Sequence, residues 1–239
     1  MRRFGKYRLY SSLILGGALV LAAGLASWAF YASRDIGHTL TVTGSASQEV
    51  KADTVKWTVD IVRKVSENNM QSGYPLLASD ITQVQAFLKS KGIPDDAVTV
   101  SQVFVDQVYN QSGPAEYNLR EEITVNSKDV DGVNGLSKSI SDLGAQGIFI
   151  SNNQLEFYIS NLPDLRVSLL ADAVKDARAR ADQIAKAGGT AVGALQSASS
   201  GVVQVLPPNS VDVSDYGSYD TQSVEKNVMV TAHASFYVR

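Results

Sequence analysis

The 239 residues contain no cysteine. That absence removes disulfides, thiolate nucleophiles, Cys-ligated metals and a lipidated N-terminal cysteine. It leaves the redox compartment open, because oxidising surroundings permit disulfides without requiring them. Histidine is nearly as scarce: His38 and His233 cannot by themselves make a metal site, and both read as surface residues. A Gly-x-Ser-x-Gly elbow is also missing. Gly188, Gly189 and Gly193 follow a helical stretch rather than precede one, so they are no phosphate cradle. Basic charge is short in the body of the chain. Residues 1–38 hold Arg2, Arg3, Lys6, Arg8 and Arg34 against Asp35; taken from the 21 basic and 24 acidic residues, these leave 16 and 23, a net of −7. An acidic body gives nucleic acid no footprint, since phosphates need a basic surface.

What is present at the start is one long apolar run. Residues 9–33 carry no charge. As a helix at ~1.5 Å per residue they reach about 37 Å, beyond the ~30 Å hydrocarbon core of a bilayer. Residues 1–8 form a basic N-terminus, and Trp28 and Tyr31 lie near the far end of the run, the pattern of a cytoplasmic start and an outer aromatic anchor. The rival reading is a cleaved secretory signal with Ser27 and Ala29 flanking Trp28. An uncleaved anchor is favoured, because the run exceeds the usual signal core. The sequence thus divides into 1–8, a membrane segment at 9–33, a linker at 34–38 and an exported domain at 39–239. Ala18, Ala22 and Ala26 make a small-residue face, which in so alanine-rich a span says little about helix association.

Within the body the periods alternate. Val55, Trp57, Val59 and Ile61 alternate with polar residues, so Thr39–Ser66 reads as two strands pairing across Lys51–Asp53, the first weakened or bulged at Gly44. Met70, Tyr74, Leu77, Ile81, Val84 and Leu88 follow four-three spacing, predicting a helix over 67–91 that Pro75 kinks or restarts and Gly92 stops. A hairpin follows, Ala97–Val108 with Tyr117–Ser127, then a short helix over Asp129–Leu143 with Gly144 as its stop, and a strand over Ile148–Ser160. The longest helix is Leu162–Gly189. Its stripe of Leu170, Val174, Ala177, Ala181 and Ile184 is mostly small, so it should lie close on a sheet. Its other face carries Lys175, Asp176, Arg178, Arg180, Asp182 and Lys186. Two strands end the chain, Gly193–Val205 and Val224–Val238, separated by the polar loop Leu206–Ser223. The order ββα-ββ-α-β-α-ββ implies an α+β fold, a mainly antiparallel sheet with helices on one face.

Few residues offer chemistry. Glu121 shares parity with Tyr117, Leu119, Ile123 and Val125, which sets a carboxylate on an apolar face. Either a bulge or open edge wets it, or it is a buried carboxyl of raised pKa. Asp95/Asp96 and Glu121/Glu122 are adjacent pairs whose members point to opposite faces if extended, so neither is a dyad. Asp129, Asp131 and Gly132 resemble the opening of a calcium loop, but its remaining ligands are missing, and they read as helix-start residues. The long loop brings Asp212, Asp215, Asp220, Tyr216 and Tyr219 without a basic residue; it reads either as a contact surface or as disorder.

Three stretches, TVTGSASQEVKADTVKWTVDI, DAVKDARARADQIAKAGGTAVGAL and VMVTAHASFYV, together resemble the SIMPL-domain (DUF541) family of bacterial envelope proteins, over about residues 39–239. The resemblance implies a periplasmic or cell-surface protein, sometimes linked to oxidative-stress defence, with no established catalysis, no cofactor, and self-association in some members. It carries over no site residue, and many members have a removable signal where this chain has an apparent span. The expectation is a non-catalytic, membrane-tethered envelope protein, its body outside the cytoplasm, acting through homo-oligomerisation or an envelope partner and not through nucleic acid. The alternatives are secretion after signal cleavage, a small apolar ligand between the alanine helix and the sheet, and an enzyme centred on Glu121.

Overall fold

The computed structural model describes residues 4–33, 39–109, 114–210, 214 and 216–239. The 34–38 linker with His38, and the loop acids Asp212 and Asp215, lie outside the described residues. The first element, α1, is Phe4–Ser33. Its window Leu13–Phe30 is long and apolar enough to cross a membrane by length and composition. Eight strands and three more helices follow: β1 (Thr39–Lys51), β2 (Thr54–Ser66), α2 (Met70–Ser90), β3 (Val98–Val100), β4 (Phe104–Val108), β5 (Glu116–Ser127), α3 (Val130–Ser139), β6 (Ile150–Tyr158), α4 (Leu162–Ala187), β7 (Val192–Leu206) and β8 (Glu225–Val238). The fold is α+β, as the sequence implies, but with two sheets in place of one: β1-β8-β7, and β3-β5-β2-β6 with β4 also on β5.

The expected pairing of β1 with β2 does not occur. The connection explains why: Ala52 N–H donates to Val224 O at 2.8 Å and Asp53 N–H to Tyr158 O at 3.0 Å. Successive amides of the link are claimed by different segments, so the two strands part into different sheets instead of folding back as a hairpin. Alternation reveals that a strand exists and which face is apolar, and it leaves the partner open.

The described residues cluster into two units, Met1–Gly44 with Val174–Ser199 and Ala232–Arg239, and Ser45–Ala173 with Ser200–Thr231. In the second, β2 is central, antiparallel to both β5 and β6. Its buried residues Val55, Trp57, Val59 and Ile61 meet Leu77, Ile81, Val84 and Leu88 of α2 in one core, which is the alternating strand face set against the four-three helix stripe. The Trp57 indole donates to Asn153 Oδ1 at 2.7 Å, and Asn153 Nδ2 donates to Ser137 O at 3.0 Å, so the one polar atom of the buried ring is satisfied. A 3-10 turn at Glu67–Asn69 leads into α2, and Pro75 sits inside the helix. The expected strand over 97–108 is broken into β3 and β4. Three residues, 101–103, stand opposite two, because Val100 pairs with Ile123 while Phe104 pairs with Arg120. After α3 the chain tightens into a 3-10 segment and stops at Gly147, at φ +85°, rather than at Gly144. A second cluster of this unit joins Leu165 and Leu169 to Val205, Val228 and Val230.

In the first unit, Ala177 and Ala181 of α4 pack with Ala234 and Phe236 of β8, and Leu40, Val42 and Val192 close the cluster. Small side chains do seat the helix. The stripe itself is rotated from expectation: the buried positions are Leu165, Leu169, Ala173, Ala177, Ala181 and Ala185, while Ile184 is 50% exposed. A strict four-residue step gains about 40° per step on the helical repeat, so the contact line drifts round the rod, whereas the four-three reading assumes a straight one. The helix ends as predicted, with Gly189 at φ +74°.

Candidate functional site

The structure scatters the candidate acids. Asp129 accepts from Gly132 N–H at 2.9 Å and caps α3, and Asp131 pairs with Lys51 at 2.7 Å, as helix-start residues should. Asp95 pairs with Lys89 at 2.6 Å. Glu121 lies across from Ile61, half-buried on the apolar side of β5, and burial pushes its carboxyl above the ordinary range. The break between β3 and β4 falls opposite it. Glu122, on the other face, accepts from Thr124 Oγ1 at 3.0 Å. His233 Nδ1 is 2.9 Å from Thr43 Oγ1. Among the described residues no group of three or more His, Asp or Glu is arranged to hold a metal.

Sequence reasoning missed two buried charges. Asp80 of α2 receives Nε and Nη2 of Arg63 in a two-pronged ion pair. Lys226 continues the inward parity of Val228 and Val230 and is 1% exposed, although the apolar stretch read from the sequence begins only two residues later. Its Nζ donates to Asp220 O and lies 3.5 Å from Asp220 Oδ2. Burial draws the Lys226 ammonium below the ordinary lysine range, partly offset by Asp220. Burial also opposes ionisation of Asp220, but hydrogen bonds from Ser223 and Gln222, with the charge of Lys226, outweigh it and hold that carboxyl low.

This pair anchors the described part of the long loop. Gln204, also buried, grips Ser214 with both ends of its amide, Nε2 to Ser214 O at 3.0 Å and Ser214 N–H to Oε1 at 3.3 Å. Tyr219 OH accepts from Ile159 N–H at 3.0 Å, and Thr221 O accepts from Phe157 N–H at 2.8 Å. Of the reading that left contact surface and disorder equally open, residues 216–223 are thus an ordered strap, with Tyr216 fully outward.

The surfaces that stand out are strand edges. The five-stranded sheet shields its own. β3 has three residues and β4 five, and Asp106 of β4 lies 3.6 Å from Arg120. On the far side, the register of β6 shifts between Asp60 and Ile61, β6 carries Glu156, and Thr221 covers it at Phe157. Short length, charge, bulges and cover are the usual protections of an edge. Among the described residues, the three-stranded sheet shows none of them along most of its edges, although Ser218 and Asp220 bond to Val205 near the end of β7. β7 runs 15 residues, VGALQSASSGVVQVL, without a charge or proline, and Ala194–Ser200 are all exposed. β1 is uncharged from Thr39 to Gln48. Beside β1 lie two open grooves, of about 520 Å³ lined by Val42, Thr43, Ala179, Arg180, Gln183 and Ile184, and about 530 Å³ lined by Leu40, Ile184, Ala185 and Val238 among others.

The family model described as SIMPL, a protein of unknown function (DUF541), matches residues 40–236. The chain belongs to the SIMPL family. The match takes in both sheets and every helix except α1, so the SIMPL domain contains the bare edges as well as the buried Lys226. No curated protein matches the chain.

Proposed function

We propose that this SIMPL protein is a non-catalytic, membrane-tethered envelope protein that works through its strand edges, by self-assembly or by binding an envelope partner. The observation that carries the reading is β7: a long, uncharged edge strand exposed over seven consecutive residues is a template for another chain, and proteins that stay single protect such edges. The apolar window Leu13–Phe30 supports tethering, with the basic end of the chain in the cytoplasm and the body outside it. Confinement to one bilayer raises the local concentration, so weak edge contacts suffice. Support against catalysis comes from the dispersal of the carboxylates and from Glu121, which among the described residues has neither an acid nor a base as hydrogen-bonding partner. A role in envelope or oxidative-stress defence is the finer physiological reading.

The test is the mass of the full chain in mild detergent and in lipid nanodiscs, with cross-linking in intact cells to recover partners. The expected result is a particle heavier than one 25.6 kDa chain, or a recovered envelope protein. A single-chain mass at high concentration with no partner recovered overturns the reading.

A further inference from the structure

We infer that copies of this chain join head to tail through the three-stranded sheet, β7 of one copy lying parallel beside β1 of the next. The inference rests on the self-assembly reading above and gives it a surface, a direction and an order.

Direction follows from the ladder. Ala191 and Arg239 exchange both backbone hydrogen bonds, at 2.8 and 2.9 Å, so the chain entering β7 runs antiparallel to β8. Thr41 meets Ser235 and Thr43 meets His233 across β1 and β8; numbers rising on one strand and falling on the other make that pair antiparallel too. β1 and β7 therefore point the same way at opposite edges of one sheet. A two-fold pairing of β1 with β1 leaves both β7 edges bare, and the reverse pairing leaves both β1 edges bare. A β7-to-β1 contact covers both kinds of edge with one repeated interface. It also keeps every β1 pointing the same way, and five residues separate α1 from β1, so all the anchors can enter one bilayer.

The two flanks of α4 differ in the same sense. On the β7 side Arg178 closes the helix onto the sheet, its guanidinium 5.3 Å from the Phe236 ring centre and Nη2 3.5 Å from Val192 O. On the β1 side the grooves stand open under Ile184. A Cβ built on Gly193 would meet Tyr237 Cβ at 3.3 Å, and Tyr237 is exposed while Phe236 is buried. Gly193 thus faces outward, and by alternation Ala194, Gln196 and Ala198 face the helix side. An incoming β7 presents these uncharged side chains, two of them alanines, to a groove lined by Val42 and Ala179 among others.

The lack of native cysteine makes the test direct. Full-length copies with two different tags are reconstituted together, one carrying Thr41→Cys and the other, in separate experiments, Leu195→Cys, Ser197→Cys or Ser199→Cys, and are oxidised mildly. The expected result is a disulfide between differently tagged copies for at least one pair, and a ladder beyond the dimer when both cysteines are on one chain. Homodimers of Thr41→Cys or of the β7 variants as the main product would show two-fold pairing and overturn the inference. An assembled mass with no cross-link at any pair overturns it as well, while leaving self-assembly standing through another surface. A single-chain mass defeats both.

Discussion

Gly73 of α2 backs onto Leu119 of β5 so closely that a Cβ built on the glycine would stand 2.7 Å from Leu119 Cδ1 and 2.6 Å from Val65 Cγ1. Alanine in place of a helical glycine ordinarily gains up to about 1 kcal/mol. Here the clash reverses the sign, and Gly73→Ala should cost about 1–3 kcal/mol as the core is overpacked. Gly135 in α3 meets nothing within 4 Å, so Gly135→Ala should gain about 0.5–1 kcal/mol. Urea unfolding of both variants checks the opposite signs.

Lys226 is one fastening of the strap. Lys226→Ala removes one partner of a buried pair and leaves Asp220 uncompensated, a loss of about 3–5 kcal/mol. Lys226→Met leaves the Asp220 carboxylate and carbonyl equally without the ammonium but opens no cavity, so it should lose less, about 1–3 kcal/mol. Limited proteolysis should cut within residues 206–223 faster in both variants than in the parent; an unchanged cutting rate would mean the strap is held elsewhere.

Asp53 closes the junction before α4 by accepting from Ser160 N–H at 2.8 Å and Ser160 Oγ at 2.6 Å. Burial opposes its ionisation, but those bonds and one from Thr54 win, and its folded pKa lies below the ordinary 3.8. A lowered pKa contributes stability that is full above the unfolded value and lost as pH falls through the folded one. Asp53 is solvent-exposed, so screening leaves these bonds worth little, and Asp53→Ala should cost about 0.5 kcal/mol at neutral pH, with its stability curve beginning to converge on the parent's as pH falls below 3.8.

Glu121 should behave in the opposite way. Burial raises its folded pKa above the ordinary 4.5, so its contribution is most favourable below that value and declines as pH rises through the folded pKa. Glu121→Gln should gain about 0.5 kcal/mol at neutral pH and nothing below pH 4.5. Thermal melts at several pH values read this, and a variant less stable at neutral pH would show that the carboxylate holds a favourable contact.

The sequence made the elements legible where one face is apolar and the neighbours are regular: Val55 to Ile61, Leu77 to Leu88, and Val228 to Phe236 lie buried as their periods require. It also made the α+β class and the family legible. What it did not reveal depends on partners distant in the chain. Ala52 and Asp53 look like a hairpin turn until Val224 and Tyr158 take their amides. Ile184 looks buried until the contact line on α4 is seen to follow four-residue steps. Lys226 looks like a strand-end lysine until Asp220 is folded over it. The bare edges were half legible: the uncharged composition of β7 is visible in the sequence, but its place at an edge is a property of the sheet.

Hydrogen exchange at the outward amides of β7 tests the central claim most directly. Since Ala191 points its N–H at β8, alternation turns the N–H groups of Ala194 and Gln196 toward the open edge. In the full chain in lipid nanodiscs these two amides should exchange slowly, at rates like those of paired strand residues, and Ala194→Pro should restore fast exchange at Gln196 while β8 stays protected. Exchange at Ala194 and Gln196 as fast as at the exposed Tyr216 in the assembled parent would contradict the account, because it would mean that nothing covers the edge.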